Sequence, residues 1–367
     1  IVDEPFKTKG KARLNLSTNM KDRYLVDGRI DDMVISDGNG NYTTSNLTVS
    51  LLSTADTTHA SIIGGDFTLK ADAQGSYKTF LSGITRLTDM LQKQIKDKEI
   101  DQPALKAKLP VAHLVMNTGK GNILSNILAK NGIVFKYADV DITSSPMDGL
   151  NGSAVVDSFV YKDYTVDSLN LALKSEDSKL RYKLAVLNNA QNSYPYRGFV
   201  DGTFFEKGAL ANVRILDTNN KTALDLGLRA AMHGDGIMSS ITSGHPVLGY
   251  KEFSVNDSNY VYIGRDSRVS ADVKLQANDG AGAEIYTDDA DTTSLQNITL
   301  GMHNFELGKL LTVLPFAPKI SGTLNGDYHF VQTTNDVTVA SYMSVKNMVY
   351  DDCPMGDVGT NFVYIPK

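Results

Sequence analysis

Tryptophan is missing from all 367 residues, and cysteine occurs once, as Cys353. A single cysteine forms no internal disulfide, which excludes a disulfide-stapled secreted domain and fits a cytosolic or a Gram-negative periplasmic protein equally. No stretch reaches the roughly eighteen consecutive apolar residues that a spanning helix needs, and no charged start followed by an apolar centre marks a signal peptide. The formal net charge of -6 leaves no basic footprint, so nucleic acid is not an expected partner. The chain opens at Ile1 without methionine and stops at Lys367 behind the strand-like "TNFVYIP". It therefore reads as a piece of something longer.

Recognisable chemistry is scarce too. The six histidines, His59, His113, His233, His245, His303 and His329, are scattered, and none starts a metal-ligand spacing. "SDGNGNYT" begins like a calcium loop with Asp37, Asn39 and Asn41, but Tyr42 stands where glycine is needed and Thr48 where the bidentate glutamate belongs. Nucleophile elbows, phosphate-cradling glycine loops and dinucleotide fingerprints do not occur. In "YDDCPMGD" two carboxylates precede Cys353, which disfavours a thiolate. The expectation is a non-enzyme with no catalytic residues, no metal and no cofactor.

What the sequence has in abundance is period-two alternation. Leu47 to Leu51, Leu169 to Leu173, Leu224 to Leu228, Val269 to Leu275, and Leu324 through Tyr328 to Phe330 each place apolar residues on alternate positions, the mark of a half-buried strand. Turn-rich strings separate the strands: "SDGNGN" at 36–41, "LNGS" at 150–153, "DTNNK" at 217–221, "HGDG" at 233–236, "ANDGAG" at 277–282 and "TDDADT" at 287–292. Hairpin follows hairpin, which predicts an antiparallel meander.

Two segments break this rhythm. From Ser76 to about Lys98, Phe80, Ile84, Leu87, Leu91 and Ile95 recur at helical spacing, predicting a helix of about six turns whose apolar face lies on a sheet. A shorter helix is predicted from Asn122 as N-cap through Ile123, Leu124, Ile127 and Leu128 to Gly132 at its C-terminus. The chain thus divides into a sheet segment over 1–75, a helix-containing insertion with short strands over 76–132, continuing sheet over 133–309, and a short apolar helix or turn followed by strands over 310–367.

A sheet apolar on one face must cover that face with a second sheet, with helices or with a ligand. Two helices cannot cover so many strands. Pattern alone leaves a closed sandwich or barrel, which it favours, and an open trough. Residues 246–280, "PVLGYKEFSVNDSNYVYIGRDSRVSADVKLQANDG", tip the balance together with "LQNITLGMHNFELGKLLTVLPFAPKISGTLNGDYHF" (295–330) and "VASYMSVKNMVYDDCPMGDVGTNFVYIPK" (339–367). Their phrasing resembles the TamB-like translocation and assembly module proteins of Bacteroidetes-type bacteria, members of the AsmA-like superfamily. "TGKGNILSNILAKNGIVFKY" (118–137) and "FVDGTFFEKGALANVRILDTNNKTALDLGLRAAMHGDGI" (199–237) are similar to the same group.

The resemblance implies a mainly β protein built on an elongated, strongly curved, antiparallel-rich sheet, a β-taco, with a few short amphipathic helices. It also implies a periplasmic, inner-membrane-anchored cell-envelope protein whose hydrophobic groove supports phospholipid transport to the outer membrane and outer-membrane biogenesis. Phospholipid or another acyl-chain ligand is the implied partner. The membrane anchor and the docking to an outer-membrane BamA/TamA-like protein would lie outside this fragment.

On that basis the groove lining is expected to be Leu169, Leu171, Leu173, Tyr182, Leu184, Val186, Leu224, Leu226, Leu228, Val269, Val273, Leu275, Ile298, Leu300, Met302, Leu324, Tyr328, Phe330, Val337 and Val339. In "LLTVLPFAPKISGTLNGDYHF", Phe305, Leu307, Leu310, Leu311 and Leu314 are expected to form a helical turn stopped by Pro315, with Pro318 forcing an extended re-entry at Ile320. Leu310, Leu311 and Leu314 are the expected plug of the groove. The alternative is a surface or carbohydrate-binding β protein with a closed sandwich core and Tyr194, Tyr196, Tyr250, Tyr260 and Tyr262 as stacking platforms, a reading weakened by the absence of tryptophan.

Overall fold

A computed structural model describes residues 7–37, 40–43, 45–162, 164–288, 291, 293–314 and 317–365. The chain is mainly β, with 61% of it in strands and 11% in helices. It divides into two compact units, Ile1–Lys93 with Gln102–Pro195, and Gln94–Asp101 with Tyr196–Lys367.

The first half of the chain runs β1 (Lys7–Thr18), β2 (Tyr24–Asp37), β3 (Gly40–Thr43), β4 (Leu47–Ser53), β5 (Thr57–Gly64), β6 (Phe67–Gln74), α1 (Tyr77–Asp97) and α2 (Gln102–Lys106). It continues with β7 (Ala112–Thr118), α3 (Ile123–Lys130), β8 (Ile133–Val134), β9 (Tyr137–Ser145), β10 (Gly149–Tyr161), β11 (Tyr164–Glu176) and β12 (Lys179–Leu187). Pairing is antiparallel and follows chain order, β1-β2-β4-β5-β6-β7-β9-β10-β11-β12. Two short strands attach at the sides, β3 to β2 and β8 to β10. Helices interrupt the connections β6–β7 and β7–β9 without disturbing the meander.

The second half runs β13 (Arg197–Phe205), β14 (Gly208–Leu216), β15 (Thr222–His233), β16 (Gly236–Ile241), β17 (Val247–Leu248), β18 (Lys251–Glu252), β19 (Ser254–Val255) and β20 (Tyr260–Ile263). Then come β21 (Val269–Gln276), β22 (Gly282–Thr287), β23 (Gln296–Glu306), α4 (Leu307–Leu311), β24 (Ile320–Gln332), β25 (Val337–Tyr350) and β26 (Cys353–Tyr364). Between β15 and β21 the ladder splits: β16 and β20 bridge one side, while β17 pairs β15 and β19 pairs β21 on the other. From β21 to β26 it is again an uninterrupted meander.

The strings at 217–221, 233–236 and 277–282 fall at turns, and the one at 287–292 includes positions 289, 290 and 292, outside the described residues. Asp217 Oδ1 accepts from the Asn219 and Lys221 amides at 2.8 and 2.9 Å, fastening the β14–β15 hairpin. "LNGS" is a correction: residues 150–153 lie inside β10, and the turn sits at 145–148, where Ser145 Oγ accepts from the Asp148 amide at 2.8 Å. Gly152 is needed there for room, because at φ 140° a Cβ would run into the Asp141 carbonyl of β9. The turn proposed at 36–41 includes positions 38 and 39, and the calcium-loop candidate Asn39 with them, outside the described residues.

Both helices appear where their periodicity puts them. Asn122 caps α3 in a capping box, and Gly132 follows it at φ 72°. Helix α1 does not lay its whole apolar stripe on a sheet: Ile84, Leu91 and Ile95 are 41%, 47% and 70% exposed. Its rotation is set by specific contacts. The Tyr77 amide donates to Ser53 Oγ at 2.9 Å and its ring meets Tyr24 edge-on at 5.4 Å, while Gln94 exchanges hydrogen bonds with the Asp101 backbone.

Candidate functional site

In an antiparallel ladder, directly paired residues point to the same side. Following the register across the first unit gives one rung of Leu14, Gly28, Val49, Ile62, Leu69, Met116, Val140, Ala154, Leu171 and Leu184. The next rung on the same face is Leu16, Val26, Leu51, Ala60, Ala71, Leu114, Ile142, Gly152, Leu173 and Tyr182. Across ten successive strands neither rung contains a charged residue, and their only gaps in side-chain cover are two glycines.

The opposite face is polar, with Lys70, Asp72, His113, Asp141, Lys174 and Lys183 at intervening positions. His59 Nδ1 pairs with Asp72 at 2.6 Å and His113 Nε2 with Asp141 at 2.8 Å there. Among the described residues, no cluster of potential ligands is arranged to hold a metal ion.

This apolar face is not sealed. Leu51, Ile62, Leu69, Met116, Val140, Ile142, Leu171, Leu173 and Leu184 are all half-buried, Leu114 is exposed, and none reaches the full burial a closed second layer would impose. Hydrogen-bonded polar side chains stand beside both rungs on part of their length. Along one, Ser53 Oγ and Thr58 Oγ1 lie 3.1 Å apart, and Thr58 Oγ1 donates to the Gly75 carbonyl at 2.9 Å. Along the other, Asn122, only 1% exposed, donates from Nδ2 to Asp66 at 2.6 Å and to Thr118 Oγ1 at 2.9 Å.

Of the expected lining residues, Leu169, Leu171, Leu173, Tyr182, Leu184 and Val186 lie on this face, paired directly across β11 and β12. The rest lie in the second unit. Leu224, Leu226 and Leu228 share a face with Ile215, Val213 and Ala211. Val273, Ile285, Leu300 and Tyr328 form one rung, and Ile298, Phe330 and Val339 form its neighbour. Val269, Leu275, Met302, Leu324 and Val337 fall on the same side of their strands by the same alternation.

The turn after β23 sits on that second face. Leu314 packs on a buried cluster of Ile215, Ala223, Leu224 and Val313, which also takes in Val213 and Leu226. Leu310 packs on Phe253, Ala277, Ala281 and Phe305, with Leu275, Met302 and Leu324 beside them. Val313, 0% exposed, is the deepest side chain of the segment. Leu311 is half-buried and belongs to neither cluster. Phe305, expected in the turn, is the penultimate residue of β23, held in the ladder opposite Leu324. Pro315 lies outside the described residues, and β24 resumes at Ile320.

The expected lining left out the greater part of the first face, from Leu14 to Ala154, although the alternations at 13–17 and 47–51 read as half-buried strands. The signal was present but diluted, because four of the six rung positions on β5, β6 and β10 (Ala60, Ala71, Gly152 and Ala154) are alanine or glycine and do not read as a hydrophobic alternation. Val313 was missed because that residue sits in an unpatterned run.

The tyrosines of the carbohydrate reading are engaged otherwise. Tyr250 and Tyr196 pack on the first buried cluster with their hydroxyls 3.5 Å apart, and burial pushes the Tyr250 phenol well above its usual pKa. Tyr262 donates to Asp235 at 2.7 Å, Tyr260 pairs with Ser270 at 3.0 Å, and Tyr194 is half-buried with its carbonyl bound to Asn188. No protein-family model, curated protein or solved structure matches the chain.

Proposed function

We propose that the chain is a non-enzymatic lipid carrier segment, whose apolar sheet faces shield acyl chains from water. The observation that carries this reading is the pair of apolar rungs crossing ten strands of the first unit, whose side chains are half-buried or, at Leu14, Leu16 and Leu114, exposed. Two acyl chains totalling about 30 methylenes cost roughly 24 kcal/mol to expose, at about 0.8 kcal/mol each. A face that stays apolar from strand to strand removes most of that barrier over its whole width, whereas a pocket would remove it at one point.

Two rungs also suit the ligand's dimensions. Successive same-face residues on a strand lie about 6.8 Å apart, so the strip is wide enough for one or two extended chains running across the strands. With the sequence resemblance, this supports a TamB-like role in phospholipid movement between inner and outer membranes and in outer-membrane biogenesis. The setting would be the periplasm, with the inner-membrane anchor and the outer-membrane BamA/TamA-like partner contributed by sequence beyond these residues.

The test is the lipid content of the purified chain, read by mass spectrometry of organic extracts from variants that keep their fold. Leu171→Asp is expected to reduce co-purifying lipid in the first unit, and Leu226→Asp in the second, while the far-ultraviolet circular dichroism stays unchanged. Cooperative unfolding of these variants would mean that the faces are closed cores, and undiminished lipid would mean that acyl chains bind elsewhere.

A further inference from the structure

Helix α1 leaves half of its apolar stripe uncovered. At about 100° per residue, Phe80, Gly83, Leu87 and Met90 fall within an arc of roughly 80°, and all four are buried or half-buried. The adjoining arc of about the same width holds Leu91, Ile84, Tyr77, Thr88 and Leu81. Leu81, Ile84 and Leu91 are exposed there, and Thr88 donates its hydroxyl to the Ile84 carbonyl at 3.0 Å. Lys78, Arg86, Asp89 and Lys93 stand farther round the helix, so this second arc carries no charge.

The helix lies along one border of the apolar face of the first unit. Beyond the rung of Leu51, Ala60 and Ala71, the next rung on that face runs Tyr24, Ser53, Thr58, Ala73, Ala112 and Ser144. Ser53, Thr58 and Ala73 are only 0%, 5% and 8% exposed, whereas Leu51, Ala60 and Ala71 are half-buried, so something covers the border rung and stops there. The start of α1 is that cover: the Tyr77 amide donates to Ser53 Oγ, and the Tyr77 ring meets Tyr24 edge-on at 5.4 Å. Farther along, Gly83 lies against Pro110, whose carbonyl accepts from Ser144 Oγ at 2.7 Å. The helix therefore passes from β2 and β4 toward β9, across the strands and along the rung. Tyr77, which touches that rung, lies in the middle of the uncovered arc.

We infer that α1 is the side wall of the acyl site in the first unit, with Leu81, Ile84 and Leu91 in direct contact with a fatty-acyl chain. The inference rests on the carrier reading and gives it a place, the angle between helix and sheet, where a chain running across the strands is covered from two directions. Continuity of the uncharged arc with the uncharged rungs beside it argues for this occupant. A polypeptide would bring backbone amides that nothing in the arc can satisfy, since its one aliphatic hydroxyl is bonded to the helix itself, whereas an acyl chain brings none. Leu81 to Leu91 span about 15 Å at 1.5 Å per residue, about three strand spacings, which suits an extended chain better than a compact ring system.

Photolabelling of the whole chain tests it, using palmitic acid with a diazirine midway along its tail and locating the adducts by tandem mass spectrometry. Adducts on residues 81–91 as well as on the sheet strands are expected. Leu81→Gln with Leu91→Gln is expected to weaken palmitate binding about tenfold, each leucine losing roughly half the burial of a full side chain. Arg86→Gln with Lys93→Gln, on the opposite side of the helix, leaves binding unchanged. All four side chains are exposed, so the circular dichroism of both variants should match that of the unsubstituted chain. Adducts confined to the sheet, or undiminished binding by the folded leucine variant, overturn this inference and leave the carrier reading in place. A chain that takes no adducts and binds no palmitate overturns both.

Discussion

Asn122 shows how much one side chain settles in this fold. Its Oδ1 accepts from the Ser125 amide at 2.9 Å and so starts α3, while its Nδ2 reaches Asp66, Thr118 and the Gly119 carbonyl. Asp66 Oδ2 in turn accepts from the Gly121 amide at 2.9 Å. Burial pushes the Asp66 carboxyl up, but the hydrogen bonds from Asn122 and Gly121 outweigh it, and the net pKa falls below the ordinary 3.8. A folded-state pKa below the unfolded one stabilises above the unfolded value, so this latch is complete above about pH 3.8 and fades as pH drops through the lowered pKa. Asn122→Ala is expected to cost about 1–2 kcal/mol, accelerating hydrogen exchange of the Ser125 amide severalfold and softening the acid response of α3. Unchanged exchange would show that the helix holds without its cap.

At the scale of an element, the turn with α4 is the clearest case of a segment seated by its neighbour. Gly249 follows β17 at φ 59°, and a Cβ there would lie 2.7 Å from the Leu310 nitrogen and 2.8 Å from the Lys309 carbonyl carbon. Gly249→Ala combines a strained backbone with a clash and is expected to cost on the order of 2 kcal/mol or more. It should unseat residues 307–314, seen as faster exchange of the Thr312 amide, which now donates to Gly308. If the second unit's apolar face takes acyl chains, the same variant should carry more lipid, because Leu310 and Leu314 no longer compete for it.

Elements of this kind were partly legible in advance. The alternation at Leu169 to Leu173 and the cap at Asn122 are local signals, and local physics decides them. Register is not local: that Leu171 stands opposite Leu184 and Ala154 depends on where each turn falls, and the turn before β10 was misplaced because Gly152 reads as punctuation when it serves a close strand approach. The turn residue Val313 needed the facing sheet before its burial was visible.

For the molecule as a whole the balance of buried and exposed surface is the telling quantity. The chain exposes 21611 Å², whereas a compact monomer of 39.9 kDa would expose about 14,000 Å², and even two separate compact halves about 17,000 Å². Fifteen hydrophobic residues are fully buried among those described, and six of them are alanines, so little core volume stands behind so many strands. Such a chain should behave in one respect like a partly unfolded protein while being fully folded. It is expected to bind an apolar dye such as anilinonaphthalene sulfonate at neutral pH, yet keep the near-ultraviolet dichroism of fixed tyrosines that a molten globule loses. A long-chain fatty acid should displace the dye without changing that dichroism, because ligand and dye compete for a face that is already formed. A native chain that leaves the dye dark would mean that the sheets close on themselves in solution, and the acyl-carrier reading would fall with it.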